Sequence, residues 1–294
     1  MKQTITLLFT SFLLFSCSGR NNTKNNSQQL EQNMKITYEE NVPKMFYELD
    51  ISAFGCNVEV RINDFEIFTF NVNGQVATDI PINQGILESG VQTVEVIGLP
   101  VLGKTELKKD SYIRYKVVEY DLTEGEHKYL QQFEEKHSEP VSEGDKMILL
   151  KSEFPATVPY KNTSLENSVS LNEKENQDEI VEYFKYLHSL FQKRKADVLY
   201  EEMKDKFREI NVALYLDDED DKAGLNRTLS RLKKQKLELQ PFPKSFQIKL
   251  SGNNKIATLL REDGSPIILY KLVDEEASFP IFICKTGNGY KIIK

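Results

Sequence analysis

The sequence predicts two domains in series, an all-β sandwich followed by an α+β domain. Three observations carry this. Period-two alternation with regular turn signals runs from Met45 to Tyr120. The composition then shifts to Pro, Asn, Ser, Thr and Glu over 155–177. Beyond that stretch the apolar residues fall at helical spacing, and strands return only near the end, which is the α+β order.

The amino terminus has its own logic. A charged start (Met1-Lys2) and a polar pair (Gln3-Thr4) precede an apolar run from Ile5 to Phe15, and small Ser16 stands before Cys17. A cationic segment, a short apolar segment and a small residue at the cut describe a signal peptide, here 1–16. The run is too short to cross a hydrocarbon layer of roughly 30 Å as a stable helix. Leu14-Phe15-Ser16-Cys17 resembles the lipobox of bacterial lipoproteins. That resemblance implies cleavage before Cys17 and lipidation of its thiol, so the membrane is a partner through the acyl chains at Cys17. The several chains of a lipoprotein Cys hold firmly where one binds only marginally. In that family Asp after the Cys retains the protein at the inner membrane; Ser18 stands there, which implies an outer-membrane anchor facing the periplasm. Residues 17–33 hold almost nothing to bury and read as a flexible tether.

The sandwich is expected over 34–154. Met45, Tyr47, Leu49 and Ile51 alternate with Phe46, Glu48 and Asp50, and Val58, Val60 and Ile62 alternate with Glu59, Arg61 and Asn63. Asn63-Asp64 and Asn73-Gly74 are reversal signals into Phe65–Phe70 and Gln75–Ile80. Val91–Ile97 and Ser111–Tyr120 continue the series, and Met147–Phe154 reads as a last strand. The run Ile86 to Val96 weakly resembles the late strands of immunoglobulin-like or jelly-roll accessory modules. Between these strands, Glu124 to Lys136 reads as one helix with Leu130 and Phe133 as its apolar stripe.

The polar segment 155–177 reads as a linker or surface meander containing the domain boundary. In 178–294, Ile180, Val181, Phe184, Leu187, Leu190 and Phe191 mark an amphipathic helix. A second begins at Ala196-Asp197 and a third spans Gly224 to Gln235. After Pro241-Phe242-Pro243 come strands at Phe246–Leu250, Ile256–Arg261, Ile267–Leu272, Phe279–Cys284 and Tyr290–Ile293, with Gly/Asn turns suited to an antiparallel meander. The order, and the final Gly289-Tyr290-Lys291-Ile292, resemble the NTF2-like superfamily, which implies a cone of helices packed into a curved sheet. That fold hosts enzymes and binding modules alike.

The chain carries 38 basic and 45 acidic residues, a net charge of −7. This argues against nucleic acid, which takes a basic stripe, and offers anionic lipid no attraction. There is no G-x-S-x-G, GxGxxG, P-loop or HExxH, and no cofactor is expected. An oxidising envelope permits a disulfide between Cys56 and Cys284, but their positions in separate strand patterns favour two buried free thiols. Asp217 to Asp221 fails as an EF-hand loop, because Lys222 and Thr228 stand where Gly and Glu are needed. It reads as a solvated loop pairing locally with the basic run Arg227–Lys236, with a protein-binding surface as the alternative. His127 and His137 flank the expected helix, and His137 with Glu134 falls short of a metal ligand set. His188 borders the Phe184/Phe191 stripe; in NTF2-like enzymes such a residue serves as general base, while a satisfied imidazole at a core edge is the plainer reading.

Function is accordingly expected to be non-catalytic binding of a macromolecule, first a protein partner of envelope-complex or toxin-immunity type. A glycan-binding module, favoured by 13 Tyr but not by the absence of Trp, and a small-molecule enzyme using the cone with His188 as base are the alternatives. The lipoprotein reading has a direct test. Cys17→Ala is expected to leave the membrane fraction and take up no labelled palmitate; a mutant that still sediments with membranes, beside an unlabelled wild type, contradicts it.

Overall fold

The computed structural model describes residues 36–71, 74–101, 103–217, 220–273 and 275–293. The expected signal 1–16, Cys17 and the tether to 33 lie outside them, as do Asn73, Asp218 and Glu219. Among the described residues no helix is long and apolar enough to cross a membrane.

The β-rich part comprises β1 (Ile36–Tyr38), β2 (Met45–Phe54), β3 (Cys56–Ile62), β4 (Phe65–Asn71), β5 (Gln75–Pro81), β6 (Gly90–Pro100), β7 (Tyr112–Asp121), β8 (Lys128–Gln132), β9 (Lys136–His137) and β10 (Ile148–Ala156). They form two antiparallel sheets. The first has the order β5-β2-β7-β8, with β9 also on β7, and the second the order β10-β6-β3-β4. The alternation in β2 and β3 sends Tyr47, Leu49, Ile51, Val58, Val60 and Ile62 into the space between them, all fully buried. Asn63 and Asp64 both take positive φ, 53° and 61°, as the tight β3–β4 hairpin requires. Gly98 permits the sheets' close approach: a Cβ there would stand 2.7 Å from Ile113 Cδ1.

The helix expected over Glu124–Lys136 is not formed; this stretch holds β8 and β9. Gly125, at φ 87°, turns the chain back, and β8 pairs with β7 through Tyr120↔Tyr129 and Val118↔Gln132. Leu130, one of the two stripe residues, is exposed, and only Phe133 reaches the core, against Phe154 at 5.5 Å. A helix here would have had little to pack on, whereas the edge of β7 offered a row of backbone partners.

The polar segment 155–177 is ordered and packed. β11 (Tyr160–Asn162) pairs with β1, and Val158, Tyr160 and Leu171 are buried. Its polar residues satisfy the backbone along an irregular path: Ser89 Oγ accepts from the Val158 amide at 2.9 Å, and Asn162 Oδ1 accepts from the Ser164 amide at 2.9 Å. Asn172 then caps α1 (Glu173–Lys193), accepting from the Lys174 and Glu175 amides.

α2 (Ala196–Leu214) and α3 (Asp221–Lys234) follow, then β12 (Glu238–Leu239), β13 (Phe246–Ser251), β14 (Ile256–Arg261), β15 (Ile268–Leu272), β16 (Glu275–Phe279), β17 (Ile283–Thr286) and β18 (Gly289–Ile292). The strands form two antiparallel sheets, β13-β14-β17-β18 and β12-β15-β16. Ile180, Phe184, Leu187 and Phe191 of α1 pack with Leu199 of α2 and Leu229 of α3 over Ala257, Leu259, Ile268, Tyr270 and Ile283. A β-rich half thus precedes a helix-containing half.

The halves share apolar core. Ala213, Ile256, Phe282, Cys284 and Ile293 belong to the same buried cluster as the sandwich interior, with Tyr215 and Val212 packed against it. Tyr215 Oη donates to the Met45 carbonyl at 2.7 Å, and its ring lies 6.3 Å from that of Tyr160. At the other end two hairpin turns clasp: the Gly252 amide donates to the Asp64 carbonyl and the Asn253 amide to Asp64 Oδ2, both at 3.0 Å. Beside them Lys249 pairs with Glu59 and with Glu66 (2.7 Å), and Arg61 with Glu59 at 2.6 Å.

A shared core predicts one cooperative unfolding transition for the whole body, reported identically by fluorescence and far-ultraviolet signal. Tyr215→Phe removes the bond to Met45 while keeping the ring, and is expected to lower stability by about 0.5–1.5 kcal/mol in denaturant titration.

Candidate ligand-binding face

With Tyr47, Leu49, Ile51 and Ala53 committed to the core, strand geometry leaves Phe46, Glu48, Asp50, Ser52 and Phe54 on the outer face of the first sheet. The register on β7 sets Tyr120, Val118, Lys116, Arg114 and Tyr112 beside them in that order. β5 adds Asp79 opposite Asp50, and β8 adds Tyr129 opposite Tyr120 and Gln132 opposite Val118. The face therefore carries aromatic rings at both ends, with Glu48, Asp50, Lys116, Arg114 and Gln132 between them, while Phe46, Ser52 and Val118 are buried beneath their neighbours. Eight residue steps separate the two ends, about 27 Å of strand.

At one end the rings stand nearly perpendicular to one another. His127 meets Phe46 at 5.0 Å and Tyr120 at 5.7 Å, both at 83°, and Tyr129 meets Tyr120 at 6.2 Å and 76°. Tyr129 is 57% exposed. At the other end Phe54 and Tyr112 lie parallel, 6.3 Å apart at 12°. In the middle Lys116 Nζ lies 3.4 Å from Asp50 Oδ2 and donates to Gln132 Oε1 at 2.9 Å. Arg114 lies 3.5 Å from Glu135. Burial, and after it the charge of Asp79, holds the Glu48 carboxyl above its ordinary range, against the opposing influence of His127 and a hydrogen bond with Tyr120. No protein-family profile, curated protein or solved structure matches this chain.

Of the side chains singled out in the sequence, His127 and His137 lie on this face of the first sheet and the others lie elsewhere. His188 is buried on α1, where its Nε2–H donates to the Gln240 carbonyl at 2.9 Å and its ring meets the edge of Phe242 at 5.7 Å. Its partner is a backbone carbonyl rather than a carboxylate, the arrangement of a satisfied core-edge imidazole. His127 joins the aromatic end of the face, while His137 sits on β9 beside Glu135 at 2.6 Å. Glu134 pairs with Lys136 at 2.7 Å. Among the described residues no group of three or more His, Cys, Asp or Glu is placed to hold a metal. Asp220 pairs with Arg227 at 2.6 Å, the local pairing expected of the acidic run. Cys56 and Cys284 are both buried and neither is in a disulfide, and burial pushes the Cys56 thiol up to about 11.

Sequence patterning had already set Phe46, Glu48 and Asp50 opposite the buried set. Tyr129 and Gln132 escape it, because the spacing of Leu130 and Phe133 in the same stretch fits a helix.

His188→Ala is expected to cost about 0.5–2 kcal/mol of stability and to leave ligand binding unchanged. Melting curves and partner affinity measured on the same variant check both. A variant that melts like the wild type but has lost its biological activity would revive a catalytic role.

Proposed function

We propose that this chain is an envelope lipoprotein, anchored through Cys17 at the outer membrane and facing the periplasm, that works without catalysis by binding a protein partner. The partner belongs to an envelope complex or is a toxin that the chain neutralises. The binding surface in this proposal is the outer face of the first sheet, and one observation carries it: exposed tyrosines and an arginine stand on a sheet whose edge strand, β8, is exposed along its whole length. Tyrosine and arginine are the residues enriched at the centres of protein interfaces. The perpendicular setting of Tyr120 and Tyr129 gives no flat platform for a sugar ring. The face measures about 27 Å by 14 Å, roughly half the ~800 Å² that each side of a standard interface buries. A partner of ordinary size would therefore also use the β8 edge. We propose the NTF2-like fold for 178–294 as well; three helices followed by antiparallel strands support it, and it serves here as a rigid base.

A glycan ligand is the second reading, favoured by the parallel rings of Phe54 and Tyr112.

The test is capture from envelope extract with wild type, Tyr129→Ala and Tyr112→Ala, followed by affinity measurement with the captured protein. The proposal expects a specific protein whose affinity falls at least about tenfold, 1.4 kcal/mol, in Tyr129→Ala. Unchanged affinity in both variants rejects the face. Retention on envelope polysaccharide, lost in Tyr112→Ala, transfers the function to glycan binding.

A further inference from the structure

Arg194, at the end of α1, donates from Nη2 to the Leu237 carbonyl at 3.0 Å, and its guanidinium lies 5.9 Å from the Tyr270 ring centre. This brace sets the end of α1 against the chain leaving α3, and so joins two basic runs that lie far apart in sequence. Lys193, Lys195, Lys233, Lys234 and Lys236 are all exposed there, and none of them forms an ion pair among the described residues. Cations stabilise helix C-termini, which accounts for Lys193, Lys233 and Lys234. Lys236, however, lies beyond α3, and Lys195 stands at the start of α2, where the helix dipole disfavours a cation. Of the acids nearby, Asp197 is held by Lys222 at 2.8 Å, Glu238 and Glu275 border the corner, and Asp274 follows in the sequence. The net charge of −7 conceals this local excess of cations.

An apolar tip stands beside them. β12 pairs with β15 through Glu238↔Lys271, and one further antiparallel step sets Leu272 beside Leu237 and the β15–β16 turn beside Lys236. Leu272 is 39% and Val273 96% exposed. Val273 also takes φ 38°, a strained setting for a β-branched residue. Neither burial nor turn geometry explains a valine there. We propose that this corner seats on the anionic surface of a phospholipid membrane, with the lysines at headgroup phosphates and the Leu272-Val273 tip in the layer beneath. Lysine is depleted from protein interfaces, whereas lysines around an apolar tip suit the boundary between headgroups and acyl chains. Each lysine near such a surface contributes about fivefold in affinity. The contact orients a chain held at the membrane by other means and is too weak to retain one through washing.

Flotation of the full chain carrying Cys17→Ala tests the corner separately from the anchor. The vesicles are phosphatidylcholine alone, or with one part in three of phosphatidylglycerol, at low ionic strength. Binding is expected to need the anionic lipid and to be lost at about 0.5 M salt. Adding Lys233→Gln, Lys234→Gln and Lys236→Gln together is expected to weaken it about a hundredfold, and no less than tenfold. Val273→Asn suits the left-handed backbone and removes the apolar tip; it is expected to cost at least about fourfold, the worth of one buried methylene. A control with the same charge change, Lys104→Gln, Lys109→Gln and Lys146→Gln on exposed residues of the β-rich half, is expected to bind like its parent. Should the first triple variant not fold, the salt and Val273→Asn results decide alone. Equal binding to both vesicles, a loss under tenfold in the folded triple variant, equal weakening by the control, or an unaffected Val273→Asn would each overturn the proposal. An acidic protein captured by the parent and lost in the triple variant, without vesicle binding, would overturn it too and give the corner to a protein.

Discussion

The structure depends on one packing event, the insertion of the 157–171 segment and the end of α2 into the open side of the sandwich. Tyr160 is buried there beside Tyr215, whose hydroxyl reaches the carbonyl of Met45 on the central strand β2. The Tyr160 hydroxyl in turn donates to the Asn83 carbonyl at 3.2 Å, and Asn83 holds the Tyr47 amide and the Met45 carbonyl through its own side chain. A tertiary contact thus ends on the strand that also carries the candidate face. Burying a large aromatic side chain contributes on the order of 1.5–3 kcal/mol, so two of them outweigh any single surface ion pair in the molecule.

The hairpin clasp at the far end plays a different part. Lys249, Arg61, Glu59, Glu66 and Asp64 form a network whose central carboxylate, Glu59, is almost fully buried, with its charge met by two cations. Such groups contribute little net stability, because desolvation offsets most of the attraction. They do penalise misalignment, since sliding either hairpin would leave a buried carboxylate unpaired. Apolar burial at one end and charge matching at the other together fix how the helical half sits on the sandwich.

How much of this was legible in the sequence depended on whether a residue's fate was local. Strands β2 and β3 and helix α1 showed their buried faces through period alone, as Tyr47, Leu49 and Ile51 or Ile180, Phe184 and Leu187 illustrate, whereas β14 buries Ile256, Ala257, Thr258 and Leu259 in succession and shows no such period. β8 was hidden because its partner is the edge of β7, and Leu130 and Phe133 happen to fit helical spacing. The 155–177 segment was hidden because Val158, Tyr160 and Leu171 are too irregularly spaced to show a period, while the serines and asparagines between them bond backbone instead of solvent. The candidate face was half legible: its β2 residues follow from alternation, but their neighbours on β5 and β8 follow only from pairing over long sequence distances. His188 was legible as a core-edge residue, and its bond to Gln240 needed the fold.

The central claim is that the two halves form one body, so that the first sheet's face is presented on a fixed base. Residual dipolar couplings measured at pH 5.5 on amides of β2, β3, β6 and β7, and separately on those of α1, α2 and β14, test it most directly. One alignment tensor fitting both sets is the predicted result; two tensors differing in magnitude and orientation would show that the halves move independently and contradict the account.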